Sequence, residues 1–331
     1  MKKISLTGIK PTGSLHIGNY FGAIKPALEL CERFDARYFI ADYHALNTMK
    51  DAQSLRRATL EIAALWLACG LNPEKTVFYR QSLVPETFEL STILAAFTSK
   101  GLMNRAHAYK AAVEANTAKG NDPDSGINMG LFTYPVLMAA DILLFNADYV
   151  PVGRDQTQHV EMARDIADVI NHTYNKELLT LPQAWVHDSA GVIPGLDGRK
   201  MSKSYGNVIA LSLPEKELRK TIMRVVTNSQ GVDEPKDTEN CRVFALYKLF
   251  SASKEDEEAL AKRYRSGGMG WGEAKEELFN AANRVLKPIR ERYENLISNP
   301  QEIDRILREG SQKAREIASQ TISRLRNAIG L

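Results

Sequence analysis

Short apolar runs alternate with longer amphipathic stretches in the first third of the chain. Two stretches, residues 18–33 and 53–69, carry apolar side chains at helical spacing, and Gly70 follows the second, as a glycine often follows a helix. Three shorter runs are apolar enough to form buried strands: residues 4–9, 38–41 and 76–79. Strands that alternate with helices of this length predict a parallel sheet covered by helices.

The pattern becomes mainly helical further along the chain. The predicted elements are, in order, helical residues 87–119, a loop over 120–126, a helix over 135–145, a short strand over 149–153 and a helix over 155–175. After residue 213 almost all of the periodicity is helical. A change of composition near Gly206 predicts a domain boundary between residues 1–206 and residues 207–331.

Composition narrows the class of protein. The chain has 331 residues, of which 44% are apolar and 25% are charged, and these proportions exclude a disordered protein, a collagen and a coiled-coil rod. The three cysteines, Cys31, Cys69 and Cys241, are too scattered for a disulfide framework or a metal site, which indicates a reducing compartment. The longest strongly apolar stretch, residues 134–145, falls short of the ~20 residues that span a bilayer, so no membrane association is expected. The net charge of +3 permits nucleic-acid binding without arguing for it.

The first segment whose residues could bind a ligand or take part in a reaction follows the first predicted strand. Residues 8–19 read Gly-Ile-Lys-Pro-Thr-Gly-Ser-Leu-His-Ile-Gly-Asn. In a doubly wound sheet ligands bind at this kind of turn, and the N–H groups of a helix start favour anions. Gly18 would allow a ring or a phosphate to approach the backbone, and His16 and Asn19 lie on one side of the helical turn. The alternative is a plain strand-to-helix turn with a capping histidine.

The second segment is a cationic loop over residues 195–206, which reads Gly-Leu-Asp-Gly-Arg-Lys-Met-Ser-Lys-Ser-Tyr-Gly. Arg199, Lys200 and Lys203 place three cations within five positions. The natural partner of such a loop is a polyphosphate, which lysines bind as mobile point charges. The glycine spacing is wrong for a Walker P-loop. A solvated basic loop is the alternative.

Together these segments resemble the two signatures of class I aminoacyl-tRNA synthetases. Lys-Met-Ser-Lys-Ser at residues 200–204 matches the second signature letter for letter. In the first signature Asn19 replaces the usual final histidine, as is common in the tryptophanyl-tRNA synthetases. Further segments resemble that family in the right order along the whole chain: residues 42–45, 134–143, 150–159 and 310–314.

This resemblance implies a fold and an activity. The fold is α/β, with a Rossmann-type doubly wound parallel sheet as the catalytic domain over residues 1–206 and an all-α anticodon-binding domain over residues 207–331. The implied enzyme is a tryptophan–tRNA ligase, which uses ATP and Mg²⁺ to convert L-tryptophan to its adenylate and then transfers it to the 3′ end of tRNA(Trp). A cytoplasmic homodimer is expected. The alternatives are a tyrosyl-tRNA synthetase and a non-catalytic synthetase-like regulator that binds amino acid or RNA.

The resemblance also assigns the ATP site. His16 and Asn19 would donate to phosphate oxygens, and Lys200 and Lys203 would close over the β- and γ-phosphates. No general base is needed, because the carboxylate of tryptophan is already ionised at neutral pH. The other implied ATP contacts are Lys10, Pro11, Thr12, Gly18, Gly153, Arg154, Asp155, Ile193, Met201, Ser202 and Ser204.

Asp141 is the residue expected to select the amino acid. It lies in an otherwise apolar helical segment, where a carboxylate is costly unless it is paired. It would accept a hydrogen bond from the indole N–H, with Met138 beside the ring, and a buried lone acceptor rejects a ring that lacks this donor. A solvent-exposed aspartate is the alternative. The resemblance adds four tryptophan contacts, of which the polar side chains could equally be hydrogen-bonded core groups: Gly8, His44, Tyr134 and Gln156.

The chain departs from the family pattern at several positions near the expected ATP site. Lys10 replaces a common glutamine and Arg154 replaces a common glutamate. Ala112 lies where many members carry a second lysine. We therefore expect an ATP pocket whose positive charge is gained at Lys10 and Arg154 and lost at Ala112.

Overall fold

A computed structural model describes residues 2–11, 13, 15–186 and 193–331. Its centre is a five-stranded sheet in the order β3-β2-β1-β4-β5, and all four pairs are parallel. The strands are β1 Ile4–Ile9, β2 Asp35–Ile40, β3 Val77–Arg80, β4 Tyr149–Pro151 and β5 Gln183–Trp185. This topology confirms the predicted fold class. The short strand predicted over residues 149–153 contains β4, whereas β5 was not predicted.

The helices of the described residues surround this sheet. They are α1 Ile17–Asn19, α2 Lys25–Leu30, α3 Asp42–Ala45, α4 Ala52–Ala68, α5 Glu86–Phe97, α6 Lys100–Asn104, α7 His107–Ala118, α8 Met129–Leu144, α9 Thr157–Thr173, α10 Glu215–Met223, α11 Arg242–Phe250, α12 Lys254–Ser266, α13 Trp271–Ser298 and α14 Pro300–Ile329. A π-helical turn over Tyr20–Ile24 joins α1 to α2, within the stretch predicted as one helix. No helix in the described ranges combines the length and apolarity that a membrane crossing needs.

β2 is buried on both faces, as parallel strands covered by helices usually are. Along β2 every residue after Asp35 is buried. Tyr38 and Ile40 pack in one apolar cluster, while Phe39 packs in the cluster on the opposite face. β1 and β2 pair in register from Ile4 with Asp35 to Ile9 with Ile40. Because the pairing is parallel, the residues that follow the strands meet at one edge of the sheet.

The last helix, α14, covers β3, which is an edge strand of the sheet. Ser311 is buried and its hydroxyl accepts a hydrogen bond from the Arg80 N–H at 3.4 Å. Gly310 faces the strand so closely that a Cβ would overlap the carbonyl oxygen of Phe78. Part of the region beyond residue 206 therefore packs directly on the sheet, and the division at that residue stays a prediction.

We expect Gly310→Ala to lower the free energy of unfolding by about 3 kcal/mol, because the added methyl group forces α14 away from β3. Chemical denaturation of the purified protein measures this loss. Gly272→Ala is the control, since a Cβ there meets no heavy atom within 4 Å and alanine favours the helix. Equal stability of the two variants would contradict this account of the α14–β3 contact.

Candidate active site

A cavity of about 560 Å³ lies at the edge of the sheet where the strands end, against α8. This volume is within the usual range for small-molecule sites. Its walls include residues from the ends of β1, β2 and β4 and from α3. Eight of the residues predicted from the sequence line it: Gly8, Lys10, His44, Tyr134, Met138, Asp141, Gly153 and Gln156.

Asp141 is the buried charge of this cavity. Its exposed fraction is 1%, so the alternative of a solvent-exposed aspartate is wrong. His44 Nε2 lies 2.9 Å from Oδ2, and Gln81 Nε2 donates to both carboxylate oxygens at 2.8 and 2.9 Å. Burial raises the pKa of Asp141, while its hydrogen bonds with His44 and Gln81 lower it. His44 and Gln81 thus fix the carboxylate by hydrogen bonds, and Asp141 lines the cavity.

Gln81 is a site residue that the sequence analysis missed. It is fully buried and immediately follows β3. Its Oε1 accepts a hydrogen bond from the Tyr43 N–H at 3.1 Å, while its Nε2 donates to Asp141. A polar residue directly after a buried parallel strand was the available signal, because ligands bind at this edge of the sheet.

Tyr134 and Gln156 line the cavity and also have partners within the protein. The Tyr134 hydroxyl is hydrogen-bonded to Nε2 of His159, a buried residue of α9. Burial raises the pKa of Tyr134 and lowers the pKa of His159, so both rings are neutral at neutral pH. Gln156 Nε2 donates to Asp155 Oδ2 at 3.1 Å. The Tyr134 hydroxyl is therefore held by a buried partner, whereas the partner of Gln156 is exposed.

The first signature segment forms the turn from β1 into α1. His16 precedes α1 and is 8% exposed, and a Cβ on Gly18 would lie 2.8 Å from its Nδ1. Gly18 thus makes room for the imidazole ring. Burial and then the charge of Lys203 lower the pKa of His16 to about 4, so the ring is neutral at pH 7. Asn19 Oδ1 accepts the His16 N–H at 3.1 Å, which leaves its Nδ2 as the donor for a ligand.

The second signature segment, residues 200–204, is attached to the rest of the protein through Met201, while its lysines are exposed. Met201 is buried, and its N–H donates to the Ile193 carbonyl at 2.9 Å. The hydroxyls of Ser202 and Ser204 lie 2.8 Å apart. Lys200 and Lys203 are exposed. The alternative of a fully solvated loop is therefore wrong for Met201, and burial also lowers the pKa of Lys203.

Asn207 holds this loop and was also missed by the sequence analysis. It is buried, and its Oδ1 accepts the Ser202 N–H at 2.8 Å. Its Nδ2 donates to Asp197 Oδ1 at 2.7 Å and to the Lys200 carbonyl at 3.2 Å. This one amide joins both arms of the loop. Its position directly after the loop was the only signal in the sequence.

The two signature segments meet in space although they are far apart in the chain. The Ile17 N–H donates to the Ile209 carbonyl at 2.9 Å, and the Leu211 N–H donates to the Leu15 carbonyl at 3.1 Å. The Lys203 Nζ lies 3.1 Å from the place of a Cβ on Gly13. The cationic loop therefore borders the turn after β1.

The remaining residues predicted to contact ATP lie around these segments. Pro11 is buried directly after Lys10. Arg154 and Asp155 are exposed in a 3₁₀ turn that follows β4. Ile193 is half-buried at the start of the lysine loop. Thr12 lies outside the described residues.

Comparison with known proteins identifies the family. A model of the class I tRNA synthetases for W and Y matches residues 2–287. The tryptophan–tRNA ligase of Xanthomonas axonopodis pv. citri is 51% identical over 98% of this chain and 76% of its own length. The tryptophan–tRNA ligase of Neisseria meningitidis is 48% identical over 100% of this chain and 98% of its own length.

The fold of this chain is also similar to that of a solved tryptophanyl-tRNA synthetase. Tryptophanyl-tRNA synthetase from Campylobacter jejuni, complexed with ADP and tryptophan, has a TM-score of 0.90 and 45% identity. The match covers 99% of this chain and 100% of that protein. The family model includes both the tryptophan and the tyrosine enzymes. The relatives that share about half of their residues with this chain are tryptophan–tRNA ligases, which decides between the two. The chain therefore belongs to the class I tRNA synthetases and, within them, to the tryptophan–tRNA ligases.

Proposed function

We propose that the cavity beside Asp141 binds the indole of L-tryptophan and that the two signature segments bind ATP next to it. The observation that carries the proposal is a carboxylate that is 1% exposed and borders a cavity of about 560 Å³. Indole has one N–H donor and no acceptor, so it matches this lone acceptor. Met138, Tyr134, Gln156, His44 and Gly8 are the proposed contacts around the remainder of the amino acid.

The ligase reaction proceeds in two displacements. An oxygen of the tryptophan carboxylate forms a bond to the α-phosphorus of ATP, and the bond to the bridging oxygen breaks as pyrophosphate leaves. The 3′-terminal ribose hydroxyl of the tRNA then attacks the carbonyl carbon of the adenylate, and AMP leaves. The first step depends on in-line positioning and on stabilisation of the phosphate charge, because its nucleophile is already ionised.

We assign this stabilisation to two kinds of groups. His16 and Asn19 are proposed to donate to phosphate oxygens, which the neutral imidazole and the amide Nδ2 can do. Lys200 and Lys203 are proposed to bind the β- and γ-phosphates as point charges. The loop that carries them lies beside the turn after β1, which supports a phosphate site between the segments. The further proposed ATP contacts are Lys10, Pro11, Thr12, Gly18, Gly153, Arg154, Asp155, Ile193, Met201, Ser202 and Ser204.

Mg²⁺ is proposed to arrive with ATP, coordinated by its phosphates. Within the described residues, no group of three or more His, Cys, Asp or Glu side chains is placed to hold a metal ion. Mg²⁺ commonly binds through substrate phosphates and water in this way. The ion would supply positive charge to the phosphates, while Lys200 and Lys203 supply the protein's share.

The helical region over residues 207–331 is proposed to bind the anticodon of tRNA(Trp), and the enzyme is proposed to act in the cytoplasm, where tRNA is charged for translation. A homodimer is also proposed. Asn47 donates to the Gly130 carbonyl at 3.2 Å, and next to these residues Leu46 and Met129 are 41% and 69% exposed. Two exposed apolar side chains beside one contact support an interface there.

The substrate assignment is tested by Asp141→Asn, which removes the charge of the acceptor. We expect kcat/KM for tryptophan in ATP–pyrophosphate exchange to fall about 10- to 100-fold, as for a lost hydrogen bond to a charged group. Asp148→Asn is the matched control, because that aspartate binds Lys3 and the Ile4 N–H at the opposite edge of the sheet. Equal activity of the two variants, or exchange that depends on tyrosine, would contradict the assignment.

The phosphate assignment is tested by Lys203→Ala. We expect exchange to fall about 100-fold while tryptophan binding is kept, since loss of one preorganised charge-stabilising group has effects of this size. Lys220→Ala, an exposed lysine of α10, is the control and should exchange normally. In the same assay Arg154→Glu should raise the KM for ATP. Unchanged ATP kinetics in both Lys203→Ala and Arg154→Glu would remove the basis for a cationic ATP site.

The homodimer is tested by light scattering. We expect a molar mass of twice the 36.9 kDa of one chain, and Met129→Glu should shift it toward one chain, because a buried unpaired charge is costly. Val169→Glu is the control on an exposed apolar residue of α9 and should leave the mass unchanged. A wild-type mass of one chain at micromolar concentration contradicts the dimer.

A further inference from the structure

We propose that Gln81 is a positioning residue that fixes the Asp141 carboxylate for the indole N–H and thereby sets the preference for tryptophan over rings that lack this donor. The inference rests on the proposed contact between Asp141 and indole. Gln81 does not line the cavity, so it acts through Asp141 and not on the substrate.

The orientation of the Gln81 amide is determined by its two neighbours. Its Oε1 accepts the Tyr43 N–H at 3.1 Å, and its Nε2 donates to Asp141 Oδ1 and Oδ2 at 2.8 and 2.9 Å. A flipped amide would place Oε1 against a carboxylate and Nε2 against an N–H donor. Because Gln81 is fully buried, water cannot replace either hydrogen bond. The amide therefore has one allowed state.

These hydrogen bonds leave the Asp141 carboxylate one lone pair that can accept a hydrogen bond from a ligand. A carboxylate offers about four lone-pair sites for hydrogen bonds. Gln81 contacts both oxygens from the end of β3, and His44 Nε2 lies 2.9 Å from Oδ2. The carboxylate also lines the cavity, so the remaining lone-pair direction is available to a bound ring. An indole N–H satisfies it, whereas an isosteric ring without a donor leaves it unpaired.

Gln81 also supports the ionised state of this carboxyl. The titratable groups that face Asp141 are His44 and Asp42 of α3 and Tyr79 of β3. Burial raises the pKa of Asp141, the hydrogen bonds with His44 and Gln81 lower it, and the charge of Asp42 raises it. Loss of the Gln81 donor therefore lets the carboxyl gain a proton at a higher pH, and a neutral carboxyl discriminates less between rings.

The test is Gln81→Met, which keeps a side chain of similar length but removes the amide. The substrates are tryptophan and its sulfur isostere, 3-(benzothiophen-3-yl)alanine, in ATP–pyrophosphate exchange. We expect the ratio of their kcat/KM values to fall by about tenfold or more, as for a lost charge-assisted hydrogen bond. The loss should lie in the KM for tryptophan, with kcat changed less and the KM for ATP unchanged.

A binding measurement adds a readout that a purely structural role would not change. The ionised carboxylate is the form that accepts the indole N–H, so tryptophan affinity falls as the pH drops through the pKa of Asp141. In Gln81→Met this fall should begin at a higher pH than in the wild type. Calorimetric titration with tryptophan over a pH series measures the shift.

Two further variants separate this role from general damage at the end of β3. Ser82→Ala removes the hydroxyl that donates to Asp42, one residue along the chain, and should keep the wild-type ratio. Gln81→Asn keeps an amide, but its side chain is one methylene too short to satisfy both neighbours. It replaces Gln81→Met if that variant does not fold, and the ratio of the two kcat/KM values should fall in it as well. A wild-type ratio and pH profile in a folded Gln81 variant would overturn the proposal. A wild-type enzyme that accepts both rings equally would overturn the contact between Asp141 and indole, and the proposal with it.

Discussion

The burial of one carboxylate, that of Asp141, is the constraint on which the proposed tryptophan site depends. Its neighbours along α8 are apolar and buried, so the helix itself offers the charge no partner. The partners come from α3 and from the residue after β3. Those two elements reach α8 together because β1, β2 and β3 pair in parallel and end at one edge. The sheet topology thus makes a buried acceptor possible at that place.

The proposed ATP site is built on the opposite principle. The lysines of the cationic loop are exposed, and one buried amide, that of Asn207, joins the arms of the loop. Backbone pairing between residues 15–17 and 209–211 brings this loop to the turn after β1. A fixed, dry acceptor suits recognition of a ring with a single donor. Point charges on an exposed loop suit phosphates, whose charge changes position during the reaction. The two proposed subsites therefore differ in how their polar groups are held, one by buried hydrogen bonds and the other on an exposed loop.

The sequence predicted the parts of this molecule that local pattern determines. Periodicity predicted the α/β fold class and β1, and the two signature segments indicated the turn after β1 and the cationic loop. Periodicity did not resolve β5 or the π-helical turn within the predicted first helix. The roles of Gln81 and Asn207 were not predicted from the sequence for a different reason. The partner of Gln81 lies 60 positions away in the chain, and the role of Asn207 depends on a loop closing around it. Such roles arise only when the chain is folded.

In the proposed site, Asp141 also links tryptophan binding to the stability of the fold. Burial raises its pKa in the folded protein, so the folded state holds that proton more tightly than the unfolded chain does. The contribution of this group to stability is therefore fully present below the pKa of the unfolded chain, and it is lost as the pH rises through the folded pKa, above which the carboxylate is charged. At neutral pH this residue costs stability, and its hydrogen bonds with Gln81 and His44 reduce that cost. An indole N–H that occupies the remaining lone pair would reduce it again, since each hydrogen bond to the charged form lowers the pKa. Recognition of tryptophan and stabilisation of the buried charge are then one and the same interaction.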